Sequence, residues 1–290
     1  MRRLLGRLVT LLLCAGPIFG WWETGHRAVA RIAAAHLTPV ARTRIARILA
    51  VTDTPEAVAD ALADAAVWAD ETKKNTKTSD WHFIDLTIQD RKTDIPMRCP
   101  DGNCLPARIQ VFSAELKAHH PDPRWSELDV LRYLVHFVGD AHQPLHAATD
   151  ADQGGNCEQL TQPFHLAQNL HGLWDGGILA TMDPDDRALS ARLDESIGKM
   201  SVHEVHKLSE GSVNDWIWES HETALRDIYF KLHVPVEPAL FPSACDQAPA
   251  EIQSFKLTVD PAYVDAMKPV IDSQITKAGL RLARVLNEAL

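Results

Sequence analysis

From His26 to Leu49 apolar residues recur at three- and four-residue spacing, with Arg27, Arg31, Arg42, Arg44 and Arg47 interspersed. That periodicity predicts an amphipathic helix. Pro55 and Glu56 open a second, alanine-rich stretch, AVADALADAAVWAD, which carries Asp70 near its end. Pro106 opens a third helix running to about His119. Ser126 is a good N-cap for a fourth, ELDVLRYLVHFVGDAHQ, which Pro144 must end or kink. Further helical patterns lie near Phe164–Leu173 and begin at Asp186, Val213 and Pro261. Strand signals are sparse, SFKLTV being the strongest. The fold class is therefore mainly α.

The first twenty residues, MRRLLGRLVTLLLCAGPIFG, have a basic start, a short apolar run and small residues at the end. This is the layout of a secretory signal peptide, cut after Gly20. The apolar run from Leu8 to Ile18 is too short for a typical membrane span. Residues 21–290 then form the functional part, expected in a secreted or periplasmic setting without stable membrane association. No repeat or linker divides them. The polar stretches Asp150–Asn156 and Pro242–Ala250 read as loops within one domain.

The formal net charge is −10, and loss of Arg2, Arg3 and Arg7 takes it to −13. A protein that grips nucleic acid through a broad basic patch is excluded by such a balance. Cys14 leaves with the leader, so Cys99, Cys104, Cys157 and Cys245 remain, an even number suited to an oxidising compartment. Three pairings are possible. Cys99 and Cys104 bracket the short turn PDGN and are paired on that ground, leaving Cys157 with Cys245. The chain has no Asn-x-Ser/Thr sequon.

The richest chemistry lies in HFVGDAHQPLH. On a helix His136 and Asp140 share one face, one turn apart, and Pro144 turns the chain so that His146 reaches the same region. A second i,i+4 pair follows, His171 and Asp175. Imidazole and carboxylate together suit Zn²⁺. Asp70 of WAD and His82 of WHFID sit among apolar or aromatic neighbours, where a carboxylate needs a partner. Trp21-Trp-Glu-Thr-Gly-His26 would place a free α-amine near a histidine after processing.

The ordered set WxxxGH, WAD, HFID, HFxGDxxQPLH, GGN, NLHxxWD and WxxES, running from Trp21 to the C-terminal AGLRLARVLN, resembles the S1/P1 nuclease family. That family is related to bacterial zinc phospholipase C. The resemblance implies a helical domain holding three Zn²⁺ ions. By motif, Asp70, His82 and His136 match the ligands of one ion, with Asp140 bridging to a second. Asp140, His26 and the amine and carbonyl of Trp21 match the second, and His146, His171 and Asp175 the third. The remaining histidines read as structural or surface, His142 being the one best suited to support a ligand from behind. Three divalent cations would offset six negative charges and place positive charge where phosphate must sit. Binding through the terminal amine makes signal-peptide removal the step that completes the site.

The implied activity is hydrolysis of single-stranded DNA and RNA to 5′-phosphate products, with 3′-nucleotides as a further substrate class. Asp70 is expected to orient or deprotonate the attacking water. Lys73, where the family commonly has Arg, would meet phosphoryl charge as a point cation. Phe83 and Asp85, alternating in an extended segment and so facing away from His82, would stack on and hydrogen-bond a nucleobase, with Asn156 nearby. Stacking on a splayed base requires an unpaired strand. A monomer is expected. The rival readings are a phospholipase C on the same scaffold and a secreted zinc-binding protein without turnover. One departure stands out: Trp22 occupies a position where the family usually has Gly.

Overall fold

The computed structural model describes residues 21–119 and 122–290, so the predicted leader lies outside the described residues. The first amphipathic stretch is two helices, α1 (Glu23–Ala35) and α2 (Pro39–Ile48). Pro39 stands at N1 of α2 and the Thr38 side chain accepts from Ala41 N, so a cap signal divides one continuous apolar pattern. The alanine-rich stretch also divides, into α3 (Pro55–Ala65) and α4 (Trp68–Thr76). Asp70 therefore sits in the first turn of α4 and not near the C-terminal end of one longer helix. A short 3₁₀ turn, Ser79–His82, follows.

Helix α5 (Leu105–Ala118) and helix α6 (Glu127–Asp140) match the expected third and fourth helices. Ser126 caps α6 by accepting from Asp129 N, and the Asp129 carboxylate accepts in return from Ser126 N. Helix α6 ends at Asp140, and a 3₁₀ turn at Pro144–Ala147 reverses the chain.

The predicted helix near Phe164–Leu173 is mostly a hairpin. Strand β1 (Gln159–Phe164) returns through His165 and Leu166, both at positive φ, into β2 (Ala167–Asn169). Leucine rarely adopts such a conformation, and no Gly or Asn marks the turn, which explains why the pattern reads as helix. The short helix α7 (Leu170–Gly172) then runs into a π turn, Leu173–Gly177. Helices α8 (Asp186–Ile197), α9 (Val202–Ser209) and α10 (Val213–Thr223) follow, the last running through a π turn into α11 (Phe230–Leu232). After α12 (Ala250–Ser254), only Lys256–Leu257 of SFKLTV forms strand β3, and α13 (Pro261–Ala289) completes the chain. The sheet order is β2-β1-β3, antiparallel then parallel.

Helix α6 is the central element: from Tyr133 to Asp140 every residue is buried. Helices α1, α3, α4, α5 and α13 pack around it. No helix among the described residues is long and apolar enough to cross a membrane. Cys99 is bonded to Cys104 and Cys157 to Cys245.

Candidate active site

Helix α6 presents His136 and Asp140 to one end of the bundle, and Asp140 is the hub of what gathers there. Its carboxylate lies 3.3 Å from His26 Nε2, 3.0 Å from His82 Nδ1, 3.1 Å from His136 Nε2 and 3.3 Å from His146 Nδ1. Asp70 Oδ1 is 3.4 Å from His82 Nδ1 and 3.6 Å from His136 Nε2. His146, His171 and Asp175 form an adjoining group, with His171 Nε2 3.3 Å from Asp175 Oδ2. All these side chains are buried. Gly139 lets α1 approach: a Cβ there would lie 2.7 Å from His26 Nδ1.

Backbone carbonyls set three of the imidazoles. His136 Nδ1 donates to Ala66 O at 2.6 Å, His171 Nδ1 to Gly154 O at 2.7 Å and His146 Nδ1 to His82 O at 2.9 Å. Each bond fixes the ring and leaves Nε2 for a partner in the cluster, the arrangement that orients a metal ligand. Buried atoms without a hydrogen-bond partner cluster here too: both His26 nitrogens, His82 Nε2, Asp140 Oδ1 and Asp175 Oδ2. Uncompensated buried carboxylates and imidazoles are costly unless something pairs them. The donor set of neutral nitrogen and anionic oxygen fits divalent zinc.

The electrostatics favour the neutral ligand form at His82 and His171, whereas His136 and His146 are drawn toward the protonated form by the carboxylates beside them. Burial pushes His82 down to about 4 and His171 down to about 3, keeping both neutral as ligation requires. Burial also lowers His136, but the Asp140 and Asp70 carboxylates outweigh it and lift the group to about 9. Asp140 is held well below the ordinary carboxylate range by His136 and His146 against the opposing effect of burial. Burial raises Asp175 to about 8, a penalty that a neighbouring cation would offset.

Trp21 is buried where α1 begins, its carbonyl accepting from His26 N. The Trp22 departure is accommodated by Gly176. A Cβ on Gly176 would fall 2.1 Å from the Trp22 ring, and Trp22 N donates to Asp175 O. The bulky ring thus fills the space left by the glycine that follows Asp175.

A cleft of about 550 Å³ opens beside the cluster, lined by His82, His146 and His171 and also by Lys73, Phe83, Asp85 and Asn156. Lys73 Nζ is 2.9 Å from Asp70 Oδ1. Phe83 is 37% exposed, which leaves its ring available to solvent or ligand. His82 shares the cleft with Phe83 and Asp85 because it belongs to the 3₁₀ turn and not to the extended segment, contrary to the alternation expected from sequence. Asn156 is engaged within its own loop, donating to Gln153 O. Behind that loop burial lifts Glu158 to about 8 and Asp150 to about 7, so part of the chain's formal negative charge is silent at neutral pH.

Residues not singled out from sequence hold the segment between Asp140 and His146. Ser220 Oγ donates to Ala141 O, Gln274 Nε2 to His142 O, and Gln143 Nε2 to Asp175 Oδ1. Buried Arg281 bonds His142 Nε2 at 2.9 Å and pairs with Glu219. His142 therefore braces α6 against α13; its ring nitrogens meet Val138 O and Arg281, not a residue of the cluster. The WxxES and AGLRLARVLN segments supply most of these groups. Their tertiary partners lie many residues away and are invisible to local pattern.

Comparison with known proteins agrees with this geometry. The chain is 29% identical to Nuclease S1 of Aspergillus oryzae, with 99% of this chain and 98% of that one covered. It is 26% identical to Nuclease P1 of Penicillium citrinum (92% and 97% covered) and 26% identical to Endonuclease 2 of Arabidopsis thaliana (96% and 93% covered). The family model described as S1/P1 Nuclease matches residues 21–290. With its whole described length matched, the chain belongs to the S1/P1 nuclease family, enzymes that hydrolyse phosphodiester bonds.

Proposed function

We propose that this chain is a secreted or periplasmic zinc-dependent endonuclease that cleaves single-stranded DNA and RNA to 5′-phosphate products and also accepts 3′-nucleotides. The observation that carries the reading is the shared cleft: histidines of the His/Asp cluster line it together with Phe83, Asp85 and Asn156. One side suits phosphate and the other a base.

Three Zn²⁺ ions would be held by Asp70, His82, His136 and Asp140; by Asp140, His26 and the amine and carbonyl of Trp21; and by His146, His171 and Asp175. Bound zinc supplies Lewis acidity toward water and phosphoryl oxygen. The chain's own groups do the rest. Asp70 orients the attacking water and takes its proton, and Lys73 places a point charge against the developing phosphoryl negative charge. Phe83 stacks on the base and Asp85 accepts from its N–H groups, while Asn156 shapes the wall between them. Residues 1–20 act as the leader. Their removal frees the Trp21 amine, so processing completes the site, and residues 21–290 act as a monomeric nuclease domain.

The test is hydrolysis of single-stranded and duplex DNA and RNA by the mature protein, with chelator and then with zinc. Single strands are expected to be cut, with activity lost on chelation and restored by zinc. A folded, zinc-loaded protein inert on nucleic acid but releasing phosphocholine from lecithin would overturn the reading.

Asp85 adds a pH dependence. Burial, with Asp152 nearby, raises its carboxyl to about 6. Above that pH the carboxylate accepts from the paired N1–H and N2–H donors of guanine. Below it, the neutral acid both donates to adenine N1 and accepts from its N6–H. The guanine-to-adenine ratio of kcat/KM on matched dinucleotides is expected to rise by about tenfold as pH increases through 6, one good hydrogen-bonded pair being worth roughly 1–3 kcal/mol. The transition should vanish in Asp85→Asn. A ratio constant from pH 5 to 8 in the unmodified protein would remove this role.

A further inference from the structure

Phe83 is not the sole aromatic side chain on the cleft. Phe241 lines it as well and is 47% exposed. An apolar ring left open to water at a cleft mouth is a stacking surface when something holds it in place.

Phe241 is held in place. One face of its ring lies against the Arg98 guanidinium, 4.7 Å from the centroid. Arg98 is in turn fixed by a two-pronged pair with Asp90, both N–O distances being 2.9 Å. The segment carrying Phe241 is tied to the Asn156 loop at several points. Glu237 N donates to Asp150 O, Gln153 Nε2 donates to Pro242 O, and the Cys157–Cys245 disulfide closes the far end. Ala151, Cys157, Ala248 and Ile252 form a small apolar core of their own beneath this junction. The strap and the loop therefore behave as one body, and Phe241 is positioned by the same elements that position Asn156.

We propose that Phe241 is a second base-stacking residue, the strap-borne counterpart of Phe83, gripping a nucleobase in the cleft with the ring face that Arg98 leaves open. A guanidinium on the opposite face also withdraws electron density from the ring, which favours stacking on electron-rich purines. This rests on the nucleoside-cleft reading above.

The experiment compares binding of 5′-AMP with binding of ribose 5-phosphate to the zinc-loaded mature protein. The two ligands share sugar and phosphate, so the ratio of their Kd values isolates the base. Phe241→Leu, which keeps apolar bulk for the strap but has no aromatic face, is expected to reduce that ratio, taken as Kd of ribose 5-phosphate over Kd of 5′-AMP, by about tenfold, the scale of one lost stacking partner. Phe241→Trp should restore it. Phe83→Ala is run beside them. If Phe83→Ala reduces the ratio and Phe241→Leu does not, the inference is wrong and the nucleoside cleft stands. If Phe241→Leu weakens both ligands equally and Phe241→Trp does not rescue, the strap is merely structural and the inference is again wrong. If the unmodified protein binds 5′-AMP no better than ribose 5-phosphate, the nucleoside-cleft reading itself falls.

Discussion

Asp140→Asn is expected to lose about a thousandfold in kcat/KM on single-stranded DNA, a loss of roughly 4 kcal/mol in transition-state stabilisation. It should also lose bound zinc. The reason is the position of Asp140 as hub: four imidazoles from α1, the 3₁₀ turn before Phe83, α6 and the turn after it lie within 3.3 Å of its two oxygens. An amide has the same size but no formal charge and one acceptor oxygen, so it cannot serve two cations at once. Asp175→Asn, in the adjoining group, affects one proposed ion only and should leave about two zinc ions per chain. Asp140→Asn should leave fewer, because two proposed sites share its carboxylate. Metal analysis of the two purified variants decides the matter. Equal zinc content in both, with activity retained by Asp140→Asn, would show that Asp140 is not the bridging group.

Much of this site is legible in the order of the amino acids. His136 and Asp140, and His171 and Asp175, stand at helical spacing, and tertiary folding has only to bring the two pairs together. Cys99 and Cys104 flank a tight turn that needs no long-range information. The errors have a common physical origin. The break at His36–Thr38 and the break at Ala66–Val67 both fall inside apolar periodicity that continues on either side. At the first, Thr38 and Pro39 give the stop signal; at the second, no Gly or Pro stands between the helices. The β1–β2 turn uses His165 and Leu166 at positive φ, where sequence rules look for Gly or Asn. Helix α9 is a missed signal of another kind: Ser201 and Glu204 form a capping box, and Val205 and Leu208 pack on the core, so its start is legible in the sequence. The contacts of Ser220, Gln274 and Arg281 span 79, 132 and 139 residues, and no local pattern encodes such pairings. Phe241 is hidden for the same reason, since its partners belong to distant loops.

Removing the Cys157–Cys245 bond should cost far more stability than removing Cys99–Cys104. Its sequence separation is 88, against 5 for Cys99–Cys104. In the chain-entropy model the long closure contributes about 4–5 kcal/mol and the short one about 2 kcal/mol. For a chain of this size the Cys157→Ser/Cys245→Ser protein should therefore melt roughly 10 °C lower, while Cys99→Ser/Cys104→Ser should fall by about half as much. The small core of Ala151, Ala248 and Ile252 is too limited to replace a covalent closure. The two losses should also differ in their effect on substrate binding. Cys99–Cys104 closes only a short turn, between Arg98 behind Phe241 and Leu105, whose N–H donates to Phe83 O, so its loss should raise KM less. Cys157–Cys245 joins the Asn156 loop to the Phe241 strap, and its loss should raise KM for single strands even well below the melting transition. Calorimetry and steady-state kinetics on the two serine pairs test both parts. Equal melting shifts would mean that the unfolded chain is already compact enough to cancel the length advantage of the longer loop. An unchanged KM would mean that hydrogen bonds alone keep the strap seated on the loop.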